Sequence, residues 1–239
     1  LQRQYNGMKK WTDFLYRQSR SGILEYSYWG DWAGPKEFTT RQMCDAISSV
    51  TPGELISTAY LYYDLSLMQE FAEILGMQAD ADDFARRAEC VKAAFIKEFF
   101  DEAQGCAGTN SQGCNAIALY MGLIPSGREQ EVASKLAQDV INRDYHLTTG
   151  NLCTKYLPEV LSEYGYSDIA MRLMEQTTYP SWGYMRSMGA TTIWERWEYA
   201  TGFAMNSHSH PMYGSVTAWF YKYLAGISAA EAGFKMIKI

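Results

Sequence analysis

Helical periodicity constrains the fold of this chain more than any other feature of its sequence. Eight segments carry apolar residues three or four positions apart, the spacing that places side chains on one face of a helix. Residues 54–75 show the pattern clearly, with Ile56, Tyr60 and Tyr63 on one face. The alternation typical of strands is scarce before the C-terminus. The predicted helices are residues 3–19, 54–75, 80–99, 114–122, 129–142, 152–163, 168–176 and 215–224.

The connections between these helices alternate between short and long. Gly76 and Gly165 each follow a helix closely, so neighbouring helices should pair as hairpins. Stacked hairpins with elaborate loops at one end are typical of repeat-type α architectures. The fixed period of about 34 residues of a tetratricopeptide array is missing, so we expect an all-α fold of another kind. Most aromatic and charged loop residues fall in the long connections, at 21–53, 100–113 and 177–210.

One irregular stretch, 179–214, concentrates aromatic and charged residues. Its glycines interrupt any long helix, yet its aromatic rings are costly to leave in water. A long irregular segment of this composition indicates a functional loop on a rigid scaffold. Aromatic faces beside carboxylates suit a sugar, whose C–H faces stack on rings while its hydroxyls bond to polar groups. The residues concerned are Trp182, Arg186, Trp194, Glu195, Arg196, Trp197, Glu198, His208 and His210.

Charge and apolar content argue against two classes of partner. The net charge is -6 and the pI is near 5.2, and no cluster of Lys and Arg offers a surface for phosphates, so we expect no nucleic acid partner. No apolar run approaches the roughly 20 residues that span a bilayer, so we expect no membrane span. The length fits one large domain or two small ones.

The cysteines and histidines give no sign of a metal site. Five cysteines are an odd number without a C-x-x-C pair, so we expect reduced residues that are mostly small buried hydrophobes. His208 and His210 are two positions apart and point opposite ways on a strand, which makes them poor co-ligands. We therefore expect neither a metal nor another cofactor. The cysteines are Cys44, Cys90, Cys106, Cys114 and Cys153.

Glu195 is the leading candidate for a catalytic carboxylate. It lies between Trp194 and Trp197, with Arg196 beside it. Indoles partly desolvate a carboxylate and raise its basicity, whereas a nearby arginine lowers it again. A glycosidase needs a tuned carboxylate of this kind, paired with a second one across the scissile bond. The structural alternative is that Glu195 pairs with Arg186 or Arg196 and only fixes the loop.

Other polar residues in these loops also have two interpretations. Asp31 precedes Trp32 in an aromatic loop that would form a stacking wall, or it caps a turn before a proline. Glu198 would point away from Glu195 on a helix and would then be solvated at the surface. His210 could bond to a substrate hydroxyl or a catalytic water, whereas the lone His146 is expected to be structural.

Several motifs occur here in a characteristic order. GATTIWERW at 189–197 is followed by MNSHSHPMYGSVTAWFYKYLAGI at 205–227. WGDW at 29–32, TTGNLCTKYL at 148–157 and YPSWGYM at 179–185 precede them. Together they resemble the bacterial α-L-rhamnosidases of glycoside hydrolase family 78 over nearly the whole chain. The resemblance implies an (α/α)6-barrel, or α/α toroid, followed by a β-sandwich. It also implies inverting hydrolysis of a terminal α-L-rhamnose by a Glu base and a Glu acid.

The resemblance assigns roles to six residues. Glu195 occupies the position of the general base, which activates water on the face opposite the leaving group. His210 matches a position near the sugar and the base, although the family usually has Asn where His208 and Ser209 lie. The substrate-binding residues that it implies are Asp31, Trp32, Trp182, Trp194 and His210.

The chain departs from the family in one motif. The family's acid lies in Asp-x-x-x-Arg-x-Glu-Arg-x-Gly-Trp-x-Gly-Asp, which has no counterpart here. We expect a partial barrel at 1–226, incomplete at its N-terminus, and the first β-strand of a C-terminal β-sandwich at 227–239. The acid would lie upstream, or Asp31 or Glu37 would supply it. A signal peptide would also lie upstream of Leu1, so bacterial cytoplasmic and secreted locations both fit.

The expected partner is a rhamnose-containing glycoside or oligosaccharide. An open toroid would expose apolar helix faces, which predicts self-association. Three other functions fit the same residues. The chain could be a non-catalytic carbohydrate-binding fragment, an α/α-toroid hydrolase acting on another sugar, or an α-solenoid scaffold whose loops bind protein.

Overall fold

Helical hairpins make up most of the computed structural model, which describes residues 1–27, 29–40, 46–202 and 207–239. The predicted all-α class is confirmed, because each strand in the described ranges is only two residues long. The helices are α1 Gln2–Gln18, α2 Gly53–Ile74, α3 Gln78–Phe99, α4 Gln112–Tyr120, α5 Glu129–Asn142, α6 Tyr156–Glu163, α7 Ser167–Met174, α8 Trp182–Ser187 and α9 Val216–Trp219. The strands are β1 Phe100–Asp101, β2 Cys106–Ala107, β3 Ser228–Ala229 and β4 Ile237–Lys238.

Glycine turns join the helices into antiparallel pairs. Gly76 follows α2 with φ of 70°, and Gly165 follows α6 with φ of 90°. Only glycine adopts these left-handed conformations without a steric cost, so each helix ends where the sequence predicts. The hairpins α2–α3, α4–α5 and α6–α7 result.

Three predicted boundaries are wrong. Helix α6 begins at Tyr156, since residues 148–155 form an irregular loop. Helix α8 lies inside the stretch predicted to be irregular, and Ser181 caps it by accepting a hydrogen bond from the Tyr184 amide at 2.9 Å. The predicted helix 215–224 is divided into a 3₁₀ turn, Met212–Ser215, the short α9 and a π turn, Phe220–Leu224.

Two clusters of buried side chains form the core. The smaller one lies between α1, α2 and α3 and includes Tyr5, Leu65 and Phe84. The larger one joins α4–α7 to the aromatic stretch, where Trp197 and Tyr213 are fully buried. Burial of each large apolar side chain contributes roughly 1.5–3 kcal/mol, so the stretch is a structural part of the core and not an appended loop.

The last residues form a small antiparallel pair. Ser228 lies opposite Lys238, and Ala229 lies opposite Ile237. The strand expected at the C-terminus is therefore present, whereas the domain division at residue 226 stays a prediction. In the described ranges, no helix has the length and apolarity needed to cross a membrane.

The described cysteines are free thiols. Cys106, Cys114 and Cys153 are buried, in agreement with their predicted role as small hydrophobes, but Cys90 is exposed. Cys44 lies outside the described residues. Burial raises the pKa of the Cys114 and Cys153 thiols, which keeps them protonated and unreactive at neutral pH.

Candidate active site

Glu195 is held by segments that are distant in the sequence. The indole Nε1–H of Trp32 donates to its Oε1 at 3.0 Å. The side-chain amide of Asn151 donates to its backbone carbonyl at 3.2 Å, and its own backbone N–H donates to the carbonyl of Ser207 at 3.0 Å. Both the carboxylate and the backbone of Glu195 are thus oriented by hydrogen bonds.

Asp31 is buried one residue before Trp32. Its side chain is 1% exposed, and its oxygens accept hydrogen bonds from the backbone amides of Gly150 (2.7 Å), Leu152 (3.1 Å) and Cys153 (2.9 Å). Burial raises the pKa of the Asp31 carboxyl, and these backbone hydrogen bonds oppose that shift. The carboxylate joins the turn at 29–34 to the loop at 148–155.

The two backbones meet closely at Gly150. A Cβ atom at this position would lie 2.4 Å from the carbonyl oxygen of Trp32 and 2.5 Å from that of Asp31. The amide of Asn151 donates to the same Trp32 carbonyl at 2.7 Å. Only glycine permits this approach, which brings Asn151 within reach of Glu195.

Aromatic side chains support the site from the core. Trp197 stacks on Tyr213 with ring centroids 4.0 Å apart, and Trp182 meets Trp197 edge-on at 5.0 Å. Trp197 Nε1–H donates to the Thr149 carbonyl at 3.0 Å, and the Tyr213 hydroxyl donates to the Ala33 carbonyl at 2.6 Å. These bonds attach both loops to the larger core cluster.

The predicted pocket-lining tryptophans differ in exposure. Trp32 and Trp182 are half-buried and retain open surface, whereas Trp194 is only 3% exposed. Trp194 packs against Tyr199 at 5.3 Å and edge-on against His208 at 5.6 Å between ring centroids. Its role as a pocket wall stays a prediction, and these neighbours cover most of its surface.

Glu198 differs from its predicted role as a solvated surface residue. The segment 194–198 is not helical, and Glu198 pairs with the buried Arg196 through an Nε–Oε1 distance of 2.6 Å. Its second oxygen, Oε2, is buried and has no hydrogen-bond partner in the described part of the chain. The guanidinium of Arg196 is only 2% exposed, so its positive charge needs a negative partner. Glu198 turns inward because its carboxylate compensates that buried charge.

His210 lies beside the same segment. Its backbone N–H donates to the Ile193 carbonyl at 2.8 Å, and within the described ranges its buried Nδ1 has no hydrogen-bond partner. His208 is exposed, and its carbonyl accepts from the Thr192 hydroxyl. His146 is structural, as predicted, with its ring nitrogens on the Arg143 carbonyl (3.0 Å) and the Thr178 hydroxyl (2.7 Å).

The described residues contain no group of three or more His, Cys, Asp or Glu side chains arranged to hold a metal.

Glu37 is exposed on a 3₁₀ turn, Lys36–Phe38, whose first backbone N–H donates to the Tyr179 hydroxyl at 2.8 Å. A shallow cavity of about 290 Å³ adjoins Trp182 and Ile193, two residues before Glu195. The described residues thus offer one oriented carboxylate and aromatic surface, which suit a sugar and supply one of the two carboxyl groups that its hydrolysis requires.

Sequence reasoning missed two parts of this site. Asn151 was seen only as part of a loop that enters a helix, although its position after Gly150 is a signal for close backbone approach. The Arg196–Glu198 pair is the second part, because residues two apart form an ion pair only in a particular irregular backbone, which the sequence does not specify.

The chain is similar to known proteins over almost its whole length. The profile of the bacterial alpha-L-rhamnosidase 6 hairpin glycosidase domain matches residues 1–224. An alpha-L-rhamnosidase of Formosa agariphila is 33% identical over 245 residues, covering 100% of this chain and 26% of the relative. An alpha-L-rhamnosidase of Alteromonas sp. is 34% identical over 242 residues, covering 98% of this chain and 26% of the relative. The chain thus spans about a quarter of the length of these curated relatives.

Solved structures give the same result. An alpha-L-rhamnosidase from Dictyoglumus thermophilum superposes with a TM-score of 0.90 at 40% identity, covering 99% of this chain and 26% of the other. The Streptomyces avermitilis alpha-L-rhamnosidase complexed with L-rhamnose has a TM-score of 0.86 at 30% identity, covering 98% of this chain and 22% of the other. The predicted α/α toroid class is confirmed by this likeness.

Proposed function

Because the chain belongs to the family of bacterial α-L-rhamnosidase six-hairpin glycosidase domains, we propose that it binds a terminal α-L-rhamnose and takes part in its hydrolysis. Relatives named alpha-L-rhamnosidase and a related structure with L-rhamnose support this substrate class. One observation of this chain carries the proposal. Glu195 is oriented through its carboxylate by Trp32 and through its backbone by Asn151 and Ser207.

Glu195 acts as the general base in the proposed reaction. Its carboxylate takes a proton from a water molecule while that water attacks the anomeric carbon from the face opposite the leaving group. The product is therefore β-L-rhamnose, and the configuration is inverted. Fixing the carboxylate before the substrate arrives removes an orientation cost from the transition state.

The sugar lies against the exposed surfaces of Trp32 and Trp182. Its apolar C–H face stacks on an indole. Three polar atoms of the site are buried and have no hydrogen-bond partner in the described residues, namely Oδ1 of Asn151, Oε2 of Glu198 and Nδ1 of His210. Buried polar atoms without partners are costly, and ordered water would satisfy them.

The general acid is assigned by exclusion. Asp31 is a poor acid because backbone amides occupy both of its oxygens and it is 1% exposed. The acid motif of the resembled family does not occur in the 239 residues, and we propose that a motif of this kind, outside this sequence, supplies the acid. An aryl group acidic enough to leave as its anion needs no such acid, so turnover of an aryl glycoside tests the base alone. Glu37, which is exposed, is the candidate within the chain. An inverting pair needs carboxyl groups roughly 6.5–9.5 Å apart.

The missing acid motif favours carbohydrate binding without turnover as a second candidate function. Titration of tryptophan fluorescence with L-rhamnose, beside an aryl glycoside panel, separates the two. Saturable rhamnose binding with turnover of only the α-L-rhamnoside supports the enzyme, and binding without turnover supports the second candidate. Failure to bind L-rhamnose, or turnover of a different sugar alone, contradicts the proposal.

A further inference from the structure

We propose that Asp31 is a positioning residue, whose buried carboxylate joins the turn at 29–34 to the loop at 148–155 and thereby fixes Glu195. The inference rests on the proposed role of Glu195 and assigns Asp31 a function other than contact with the sugar. It is carried by hydrogen bonds between residues 119 to 122 positions apart in the sequence.

The carboxylate of Asp31 accepts hydrogen bonds from three backbone amides of one loop. Oδ2 accepts from Gly150, and Oδ1 accepts from Leu152 and Cys153. Bonds from backbone N–H groups to a charged acceptor are stronger than bonds between neutral groups. Because only 1% of Asp31 is exposed, these amides and not a ligand are its partners.

The junction is tight as well as hydrogen-bonded. The Trp32 carbonyl accepts from the Asn151 amide at 2.7 Å, and Gly150 leaves no room for a side chain between the backbones. The two segments therefore cannot shift independently while Asp31 holds its amides. Packed contacts of this kind have one well-defined arrangement.

Each joined segment then contacts Glu195 directly. The turn contributes Trp32, which donates to the carboxylate at 3.0 Å, and the loop contributes Asn151, which donates to the backbone carbonyl at 3.2 Å. A displacement at the junction would therefore move both contacts. Misplacement of a reacting group by about 1 Å can reduce a rate about 100-fold.

Asp31→Asn tests the inference with little change in volume. An Asn side chain keeps one carbonyl oxygen, but its NH₂ group replaces the other oxygen. That NH₂ group and the backbone N–H that it faces, either of Gly150 or of Leu152 and Cys153, are both donors and cannot bond. We expect kcat on an aryl α-L-rhamnoside to fall about 10- to 100-fold with KM within about 3-fold of wild type. A raised KM with unchanged kcat would overturn the inference in favour of sugar contact.

Gly150→Ala perturbs the same junction without touching the carboxylate. Its Cβ would push against the carbonyls of Asp31 and Trp32, so we expect the same loss of kcat. Asp80→Asn, which removes a carboxylate bonded to Tyr5 and Lys9 in the smaller core cluster, is the matched control with unchanged kcat. Wild-type kcat in both junction variants would overturn the inference.

The shape of the pH–rate profile separates positioning from proton transfer. A positioning carboxylate neither gives nor takes the proton of the reaction. We expect Asp31→Asn to lower the profile without changing its shape. Loss of one limb of the profile would show that Asp31 is itself an acid or base, and would overturn the inference.

A readout that does not need turnover is the indole N–H signal of Trp32 in ¹H–¹⁵N NMR spectra, assigned through Trp32→Phe. Glu195→Gln should shift this signal in wild type, because the acceptor changes from carboxylate to amide, but not in the Asp31→Asn background. An equal shift in both backgrounds would overturn the inference. If wild type neither binds L-rhamnose nor turns over a rhamnoside, the proposed function fails while this experiment still decides the role of Asp31. If Asp31→Asn does not fold, Gly150→Ala takes its place.

Discussion

The indole of Trp32 donates a hydrogen bond of 3.0 Å to the carboxylate of Glu195, across 163 residues of sequence. This bond connects the two aromatic loops that the sequence sets apart. It orients the carboxylate that we propose as the general base, and it gives Trp32 a role besides stacking on a sugar.

Trp32→Phe removes this hydrogen bond and keeps an aromatic ring. We expect kcat/KM on an aryl α-L-rhamnoside to fall about 10-fold, since a hydrogen bond to a charged group contributes about 1.5 kcal/mol. Trp29→Phe is the control, because Trp29 packs edge-on against Trp32 with ring centroids 4.4 Å apart. We expect its kcat/KM to stay within about 3-fold of wild type. Equal effects of the two substitutions would contradict a specific role for the Trp32 N–H.

Glu198→Ala removes a carboxylate that pairs with the guanidinium of Arg196, which is 2% exposed. We expect the free energy of unfolding to fall by about 3 kcal/mol, measured by urea denaturation. Glu131→Ala breaks exposed ion pairs with Arg128 and Lys135 and should lower the free energy of unfolding far less, because solvent screens those pairs. Similar losses in the two variants would show that burial does not strengthen the Arg196 pair.

Asp80 makes stability depend on acid pH. Hydrogen bonds from Lys9 and Tyr5 lower the pKa of its carboxyl, so the stability that it contributes is present above its unfolded pKa of about 4. That contribution is lost as pH falls through the lowered folded pKa. Asp80→Asn should therefore cost about 0.5 kcal/mol at pH 7, and its unfolding curve should converge on that of wild type as pH falls below about 4. A difference independent of pH would contradict this assignment.

Helix α1 presents apolar rings to solvent. Trp11 is 57% exposed and Phe14 is 45% exposed, and their rings stack with centroids 5.8 Å apart. We propose self-association through this face and expect sedimentation coefficients to rise with protein concentration. Trp11→Lys combined with Phe14→Glu should abolish the rise. A monodisperse monomer at high concentration would exclude self-association.

The sequence predicts the helical hairpins well because each depends on local information. Periodic apolar residues define the buried face, and glycines such as Gly76 and Gly165 end the helices through backbone conformations that other residues avoid. The prediction that most cysteines are buried holds for Cys106, Cys114 and Cys153, whereas Cys90 is exposed.

The arrangement of the site could not be predicted in the same way. Asp31 and Gly150 meet across 119 residues, and nothing in either local sequence specifies the partner. The inward turn of Glu198 depends on a non-helical backbone at 194–198 that periodicity cannot reveal. The neighbouring indoles and the motif resemblance both single out Glu195 in the sequence, whereas the contact of Asn151 with it is visible only in the folded chain.

Glu195→Gln, compared with wild type on an aryl α-L-rhamnoside with the released sugar followed by NMR, tests the central claim most directly. We predict that wild type releases β-L-rhamnose first and that the variant loses at least about 1,000-fold in kcat while still binding L-rhamnose. Initial release of α-L-rhamnose, or a Glu195→Gln variant as active as wild type, would contradict the assignment of Glu195 as the base of an inverting rhamnosidase.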